Sequence, residues 1–127
     1  MPEKSSIKFV LIAESVIIGK NELISVVNIF DKIKVGILPT LFTKMFIVTN
    51  FTTSKDEDSS LKLEIIDPNS QVVNTKEVTV NSKEKESMNY FFEILGFTIK
   101  QLGKYTVRIT RNVGDSNETY FYVESGT

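Results

Sequence analysis

The residues most suggestive of chemistry form an acidic run near the middle of the chain, Asp56-Glu57-Asp58, followed by Ser59 and Ser60. Carboxylate and hydroxyl oxygens are the hard ligands that Ca²⁺ prefers. Asp67, Asp115 and Glu118 lie near other turns and would be able to join such a site. The run lacks the spacing of an EF-hand loop, so we favour a solvated loop and predict no metal site.

The sequence offers few candidate catalytic residues, because it contains no cysteine and no histidine. Thiol nucleophiles, disulfides, cysteine-ligated metals and Ser-His-Asp triads are therefore excluded. A glycosidase-like carboxylate pair such as Asp56 with Asp115 carries no weight, because 16 acidic residues make some pair inevitable. Ser5-Ser6-Ile7-Lys8 has the Ser-x-x-Lys spacing but none of the accompanying motifs. We predict no catalytic residue, no cofactor and no enzymatic activity.

A small group of cations lies near the C-terminus, where Arg108 and Arg111 follow Lys104 on one predicted strand. Tyr120 and Tyr122 on the next strand would supply aromatic rings, as nucleic-acid surfaces often do. The net charge of the chain is only −1. We therefore favour a solvated face and predict no nucleic-acid partner.

The number of aromatic residues, nine Phe and four Tyr, is the feature of the composition that says most about function. Phe42 with Phe46, Tyr90–Phe92 and Tyr120–Tyr122 place rings on both faces of their predicted strands. One face fills a core, whereas the other meets solvent, a loop or another subunit. We predict a protein-interaction or assembly module, either a homodimer through sheet faces or edges or a complex with an unidentified protein. A thick core with scattered exposed rings explains the pattern equally well, and a calcium- or lipid-dependent surface-binding sandwich is the second functional class.

The element that organises the chain runs from Leu102 to Arg111. Tyr105, Val107 and Ile109 alternate with polar residues, which predicts a strand with one buried face. Gly103 provides a corner immediately before it. We expect the Tyr105 ring to be buried while its hydroxyl bonds to nearby backbone and joins the two sheets.

Short alternating runs separated by turn signals continue along the whole chain. Turns at 18–22, 67–70 and 112–116 each predict an antiparallel hairpin. Gly36 with Pro39 predicts a crossing between sheets, and 53–60 predicts a polar loop. Met88–Leu102 is ambiguous because helical spacing competes with a strand-favouring aromatic run; we favour a strand over Asn89–Leu95 and then a turn. The predicted strands are Ile7–Glu14, Leu23–Phe30 with a continuation to Val35, Leu41–Thr52, Leu61–Ile65, Gln71–Val80, Asn89–Leu95, Lys104–Arg111 and Glu118–Glu124.

These elements predict an all-β fold, a two-sheet antiparallel Ig-like β-sandwich of about seven or eight strands in a single domain over 1–127. The apolar run after Lys8 is too short for a secretory signal, and no stretch reaches the ~18 apolar residues of a membrane span. We therefore expect a cytoplasmic protein. The predicted core consists of Leu11, Val26, Ile47, Leu63, Ile65, Phe92, Tyr105, Val107 and Phe121.

Several segments together resemble an uncharacterised bacterial family of short Ig-like sandwich proteins. These segments are Val10–Gly19, Val27–Ile33 followed by Pro39, Leu63–Pro68, and Leu102–Tyr105. Ser70 stands where the family-like Asp-Pro-Asp-Gly turn has glycine. The resemblance implies a fold and a bacterial or phage-associated source, but it implies no activity and no site residues.

Overall fold

The computed structural model of the protein describes residues 6–112 and 114–126. Its regular structure there is entirely β apart from one short 3-10 turn, Lys20–Glu22, so the all-β prediction is confirmed. The described residues form nine strands rather than the expected seven or eight. They are β1 (Ile7–Ile18), β2 (Ile24–Ile29), β3 (Lys32–Val35), β4 (Thr40–Thr52), β5 (Asp58–Ile66), β6 (Val72–Asn81), β7 (Ser87–Ile99), β8 (Gly103–Arg111) and β9 (Asp115–Ser125).

The strands form two sheets that share one hydrophobic core. The four-stranded sheet has the order β2-β1-β4-β7, and the five-stranded sheet has the order β3-β9-β8-β5-β6. Every pairing is antiparallel except that of β3 with β9, which is parallel. The predicted hairpins β1–β2, β5–β6 and β8–β9 are confirmed.

The chain changes sheet twice before β4. The predicted crossing at Gly36–Pro39 carries it from β3 to β4, and the peptide bond between Leu38 and Pro39 is cis. A second crossing, which the alternation did not predict, separates β2 from β3 at residues 30–31. The continuous pattern up to Val35 therefore belongs to two strands in different sheets, and this split accounts for the additional strand.

Tyr105 occupies the predicted position at the joint between the sheets. Its side chain is 2% exposed, and its hydroxyl donates a 2.8 Å hydrogen bond to the carbonyl oxygen of Gln101. Its ring stacks on Phe121 with centroids 5.0 Å apart and meets Phe97 of the opposite sheet edge-on at 6.0 Å. The hydroxyl therefore fixes the corner before β8, while the ring packs against both sheets.

Seven of the nine predicted core residues are buried, but Leu11 and Val26 are only half-buried. Leu11 faces away from the main core because the register of β1 against β4 shifts between Ile7 and Phe9. A shift of one residue exchanges the two faces of a strand. Val10 and Ile12 therefore enter the core in place of Leu11.

The second face of the four-stranded sheet has its own small apolar cluster. Ala13, Phe46 and Val48 are each at most 6% exposed, yet they lie outside the main core. Ala13 pairs with Phe46, and the Phe46 ring meets Phe91 of β7 at 5.8 Å. Something other than the five-stranded sheet must therefore cover this face.

The end of the β1–β2 hairpin provides that cover. Beyond Ala13, β1 pairs only with β2, so residues 14–28 form a two-stranded ribbon. Ile18 and Ile24 at its end line a cavity of about 270 Å³ together with Ser87, Asn89 and Phe91, although β2 and β7 lie at opposite edges of the sheet. The sheet is therefore curled, with the ribbon bent towards β7. Val26 belongs to this ribbon, which explains why it is absent from the main core.

Met88–Leu102 is a strand for most of its length, as favoured, but no turn follows Leu95. β7 continues to Ile99, paired with β4 throughout. Gly96, with φ +69°, shifts the alternation by one residue, so that Phe92 and Ile94 and then Phe97 and Ile99 point into the core. The predicted turn is therefore absent, and Gly96 bends the strand instead.

Candidate functional site

The acidic run is held by a buried arginine. Arg111 is 9% exposed, and its guanidinium donates to Glu57 and, at 3.0 Å each, to the hydroxyls of Ser59 and Ser6. The same group lies over the Phe51 ring at 5.4 Å. Glu57 also accepts a hydrogen bond of 3.0 Å from Thr53. The cation beside this carboxylate is thus a side chain of the protein itself.

The other carboxylates near the run are also engaged internally. Asp58 accepts a 2.8 Å hydrogen bond from Asn81, and Asp115 accepts one from the Ser6 hydroxyl. β5 begins at Asp58, so the predicted loop over 53–60 is shorter than expected. In the described part of the chain no group of three or more acidic side chains is placed to hold a metal ion. Ser5 of the Ser-x-x-Lys sequence lies outside the described residues.

The predicted basic group is divided by the strand. Arg108 is on the outer face and forms a 3.1 Å ion pair with Glu118, whereas Arg111 is buried at the end of β8. Lys104 lies 3.8 Å from the centroid of the Tyr120 ring. The Tyr120 hydroxyl donates to Glu118, and this hydrogen bond raises its pKa above the ordinary value. The grouping of Arg111 with Arg108 was therefore wrong.

The strand at one edge of the four-stranded sheet, β7, is long and nearly uncharged. It has 13 residues, of which Glu93 alone is charged. Lys44 of β4 is 4.0 Å from Glu93, so even this charge has a neighbour of opposite sign. Leu95, two residues further on, is 65% exposed. Backbone N–H and C=O groups along the free side of an edge strand are available to another chain.

The end of the β1–β2 ribbon exposes several large aliphatic side chains. Ile17, Ile18 and Leu23 are 57%, 65% and 69% exposed. They flank the short 3-10 turn, which also carries Lys20. Together they form a compact apolar tip at the surface.

A cleft of about 560 Å³ opens between the sheets beside Tyr105, where β6 and the end of β7 form neighbouring edges. Sequence reasoning missed this cleft, because its amide side chains come from strand β6 and from two turns that are distant in the sequence. The polar side chains of its wall include Asp67, Asn69, Gln71, Asn74, Lys100 and Gln101.

Hydrogen bonds fix one side of this cleft. Asp67 accepts the backbone N–H groups of Asn69 and Gln71 at 2.9 Å each, and its other oxygen accepts the Gln101 amide at 3.1 Å. Asn69 donates in turn to Gln101 at 3.3 Å. Burial, assisted by the negative charge of Asp67, raises the pKa of the Tyr105 hydroxyl above 10.0, so Tyr105 is neutral at physiological pH.

Comparison with known proteins agrees with the expectation of an uncharacterised family. A family model described as a family of unknown function, DUF6941, matches residues 8–124. Neither curated proteins nor solved structures gave a significant match. No helix among residues 6–112 and 114–126 is long and apolar enough to cross a membrane. Because the match covers nearly the whole chain, the protein belongs to DUF6941, a family of unknown function.

Proposed function

We propose that the protein is a non-enzymatic assembly module in which β7 pairs with β7 of a second copy. The observation that carries this proposal is the composition of that edge strand, with one charged residue among 13. Proteins usually protect free edges with charges, prolines, bulges or short strands. A long edge without these features is suited to strand addition.

Each of the other three edge strands has a feature that discourages pairing with another chain. β3 has four residues and two lysines, and β6 carries Lys76 and Glu77. β2 is uncharged but only six residues long, and Asn28 interrupts it with φ +56°. β7 bends only at Gly96, which leaves the segment Ser87–Leu95 regular for pairing.

A second copy fits β7 because antiparallel pairing of a strand with itself is compatible with two-fold symmetry. In a pairing centred on Phe91, Glu93 of one copy lies opposite Asn89 of the other. No like charges then meet, and the two four-stranded sheets form one continuous sheet. Tyr90 and Phe91 supply aromatic cross-strand contacts at its centre.

The test is the molar mass in solution by sedimentation equilibrium. The chain mass is 14.4 kDa, and we expect the average mass to approach twice this value as the concentration increases. Leu95→Lys should weaken the dimer at least about tenfold by placing a charge on the pairing edge. Thr79→Lys, a matched exposed substitution on the β6 edge, should leave the dimer unchanged. A monomer at all concentrations up to about 1 mM would refute the proposal.

The pairing register has its own test at position 89. Asn89→Glu would place like charges opposite each other twice in a symmetric dimer, whereas Asn89→Lys would place a cation opposite Glu93 of the second copy. We expect the first variant to weaken the dimer at least about tenfold and the second to retain it. Equal effects of the two variants would contradict the register.

Lipid-surface binding is the second candidate function, with the ribbon tip as its contact. The three exposed aliphatic side chains with Lys20 support it. The calcium-dependent form has no comparable support, since Glu57 and Asp58 are engaged with Arg111 and Asn81. Cosedimentation with anionic phosphatidylserine vesicles, with and without calcium, tests both forms. Loss of binding in Leu23→Ser would support the tip, whereas no binding by the native protein would exclude this function.

The immunoglobulin-like class and the cellular setting also belong to the proposal. The Tyr105 hydroxyl bonds to the backbone four residues upstream, which supports an Ig-like tyrosine corner. The absence of cysteine is compatible with a bacterial cytoplasm, the location we propose. An experimental structure tests the class, and cell fractionation of the native host tests the location.

A further inference from the structure

The cleft beside Tyr105 is placed where the sandwich opens to one side. Its walls come from two strands that both end their sheets, β6 and the last part of β7. Its volume of about 560 Å³ is within the roughly 300–1,000 Å³ of small-molecule sites. It is therefore large enough for a compact ligand, and it is distinct from the regular part of β7 that we assign to assembly.

Both strands that line the cleft are irregular there. Gly96 bends β7 with φ +69°, and the β5–β6 register shifts so that Asn74 pairs with Ile65 while Val72 pairs with Ile66. Val73 is thus an extra residue on its strand. An added strand needs a regular row of backbone groups, which the bulge at Val73 and the bend at Gly96 interrupt. This cleft consequently offers its side chains rather than a strand template.

Asn74 is one of the polar side chains that line this cleft. It shares the inner face of the five-stranded sheet with its partner Ile65, which is fully buried, and is itself half-buried. No hydrogen bond to another described residue engages the carboxamides of Asn74 or Gln71. Both carboxamides are accessible from the cleft, so their donors and acceptors are available to a ligand that enters it.

The wall of the cleft carries one negative and one positive side chain, so its charge favours a neutral ligand. Asp67 and Lys100 are its two charged residues, and the Asp67 oxygens already accept three hydrogen bonds. Carboxamides both donate and accept, and the Tyr105 hydroxyl retains an acceptor lone pair. Hydroxyl groups on a neutral ligand have the same dual character.

We propose that the cleft between β6 and the end of β7 binds a neutral polyhydroxylated ligand of about monosaccharide size, with Asn74 and Gln71 as its hydrogen-bonding residues. The Asp67–Gln101–Asn69 network holds the opposite wall in place. Among the described residues of this wall, the two aromatic rings, Phe97 and Tyr105, are buried and form no exposed platform. Hydrogen bonds therefore provide the affinity, and we expect millimolar dissociation constants.

NMR titration of the intact protein tests this site. The probes are the methyl glycosides of glucose, mannose and galactose, and N-acetylglucosamine, each at about 50 mM, which would saturate a site with a Kd of about 1 mM. At least one probe should shift the amide signals of Asn74, Gln71 and Gln101. Asn74→Ala should weaken binding at least about tenfold, as expected for loss of a polar anchor. Thr75→Ala is the matched control, because the neighbouring side chain faces the opposite side of the strand, and it should bind as the native protein does.

Three results would overturn the proposal. One is the absence of shifts at the cleft with all four sugars, and another is unchanged binding in Asn74→Ala. The third is stronger binding of glucuronate or of a dipeptide amide, which would indicate an anion site or a peptide groove. None of these results depends on the dimer, since Asn74 lies on β6 rather than on the proposed pairing edge.

Discussion

Two side chains at opposite ends of β8 join distant parts of the chain by different chemistry. Tyr105 at the start of the strand uses one hydroxyl bond and a stacked ring. Arg111 at its end contacts Ser6, Glu57 and Ser59, so it connects the start of β1 with the start of β5. Both side chains belong to the inward set that includes Val107 and Ile109. The inward face of β8 is therefore apolar in the middle and is anchored by side-chain hydrogen bonds at both ends.

The alternation of β8 correctly predicted that Tyr105 is buried. The same alternation also indicates that Arg111 is buried. Counting in twos from Tyr105 reaches Val107, Ile109 and then Arg111, all on the same face. Grouping Arg111 with Arg108 by charge ignored this period, because buried arginine is rare. A paired carboxylate and two hydroxyls make this burial tolerable, but these partners come from distant segments. The sequence has no local signal for them.

The hydroxyl of Tyr105 should have a measurable effect on stability. Tyr105→Phe retains the ring and removes the bond to the Gln101 carbonyl. We expect the free energy of unfolding in urea to fall by about 1 kcal/mol, the usual contribution of such a bond. Tyr120→Phe, which removes an exposed hydroxyl, should change it by less than about 0.5 kcal/mol. Equal losses in the two variants would contradict a special role for the corner.

Tyr105 should also add a distinct alkaline pH dependence. Its pKa in the folded protein is raised above 10.0, mainly by burial, so the folded state holds the phenolic proton more tightly than the unfolded state does. This contribution is fully present below the unfolded pKa and is lost as pH rises from about 10 to the folded pKa. The difference in unfolding free energy between the native protein and Tyr105→Phe should therefore shrink above about pH 10. A difference that is constant with pH would be the contrary result.

At the scale of elements, local signals located the strands but not their bends. Turn residues and alternation predicted three hairpins, all of which are present. A short turn was predicted after Leu95, where Gly96 stands, but glycine also occurs at bends within strands. The pairing of β7 with β4 keeps one register from Ser87 to Ile99, so Gly96 bends the strand without reversing the chain. The shift near Lys8 is likewise set by the neighbouring strand, so Leu11 and Val10 exchange places.

The bend at Gly96 can be tested by adding a methyl group. In Gly96→Ala the new Cβ would have ample space, with its nearest neighbour, Leu41 Cδ1, at 3.9 Å, but φ is +69°. The cost should therefore be conformational, about 1–2 kcal/mol of unfolding free energy. Gly36→Ala, where a Cβ meets nothing within 4 Å and φ is not in the left-handed region, is the control and should be nearly neutral. A neutral Gly96→Ala would show that β7 does not need the bend.

At the scale of the whole molecule, the curl of the four-stranded sheet explains why strands of this sheet have apolar residues on both faces. The aromatic excess predicted either a thick core or a partner surface. The ribbon covers the middle of the second face, where Phe46 and Val48 are buried, so part of the excess serves the fold itself. The edge β7 and the ribbon tip remain outside this cover. Periodicity reports which residues are apolar on each face, but only the path of the chain determines which face is already occupied.

If β7 pairs with a second copy, association must stabilise the folded state by mass action. Each tenfold increase in protein concentration above the dissociation constant adds about 1.4 kcal/mol per dimer, or roughly half that per chain. For a domain of this size we expect the midpoint of thermal unfolding to rise by about 2 °C per tenfold increase. Differential scanning calorimetry over a hundredfold concentration range measures this slope. In Leu95→Lys the slope should begin at a concentration at least about tenfold higher, while the midpoint at low concentration stays nearly unchanged, because Leu95 is 65% exposed and lies outside the core. A slope that begins at the same concentration in both proteins would place the interface elsewhere. A native protein without a slope would be a monomer, and the uncharged edge of β7 would have no role in assembly.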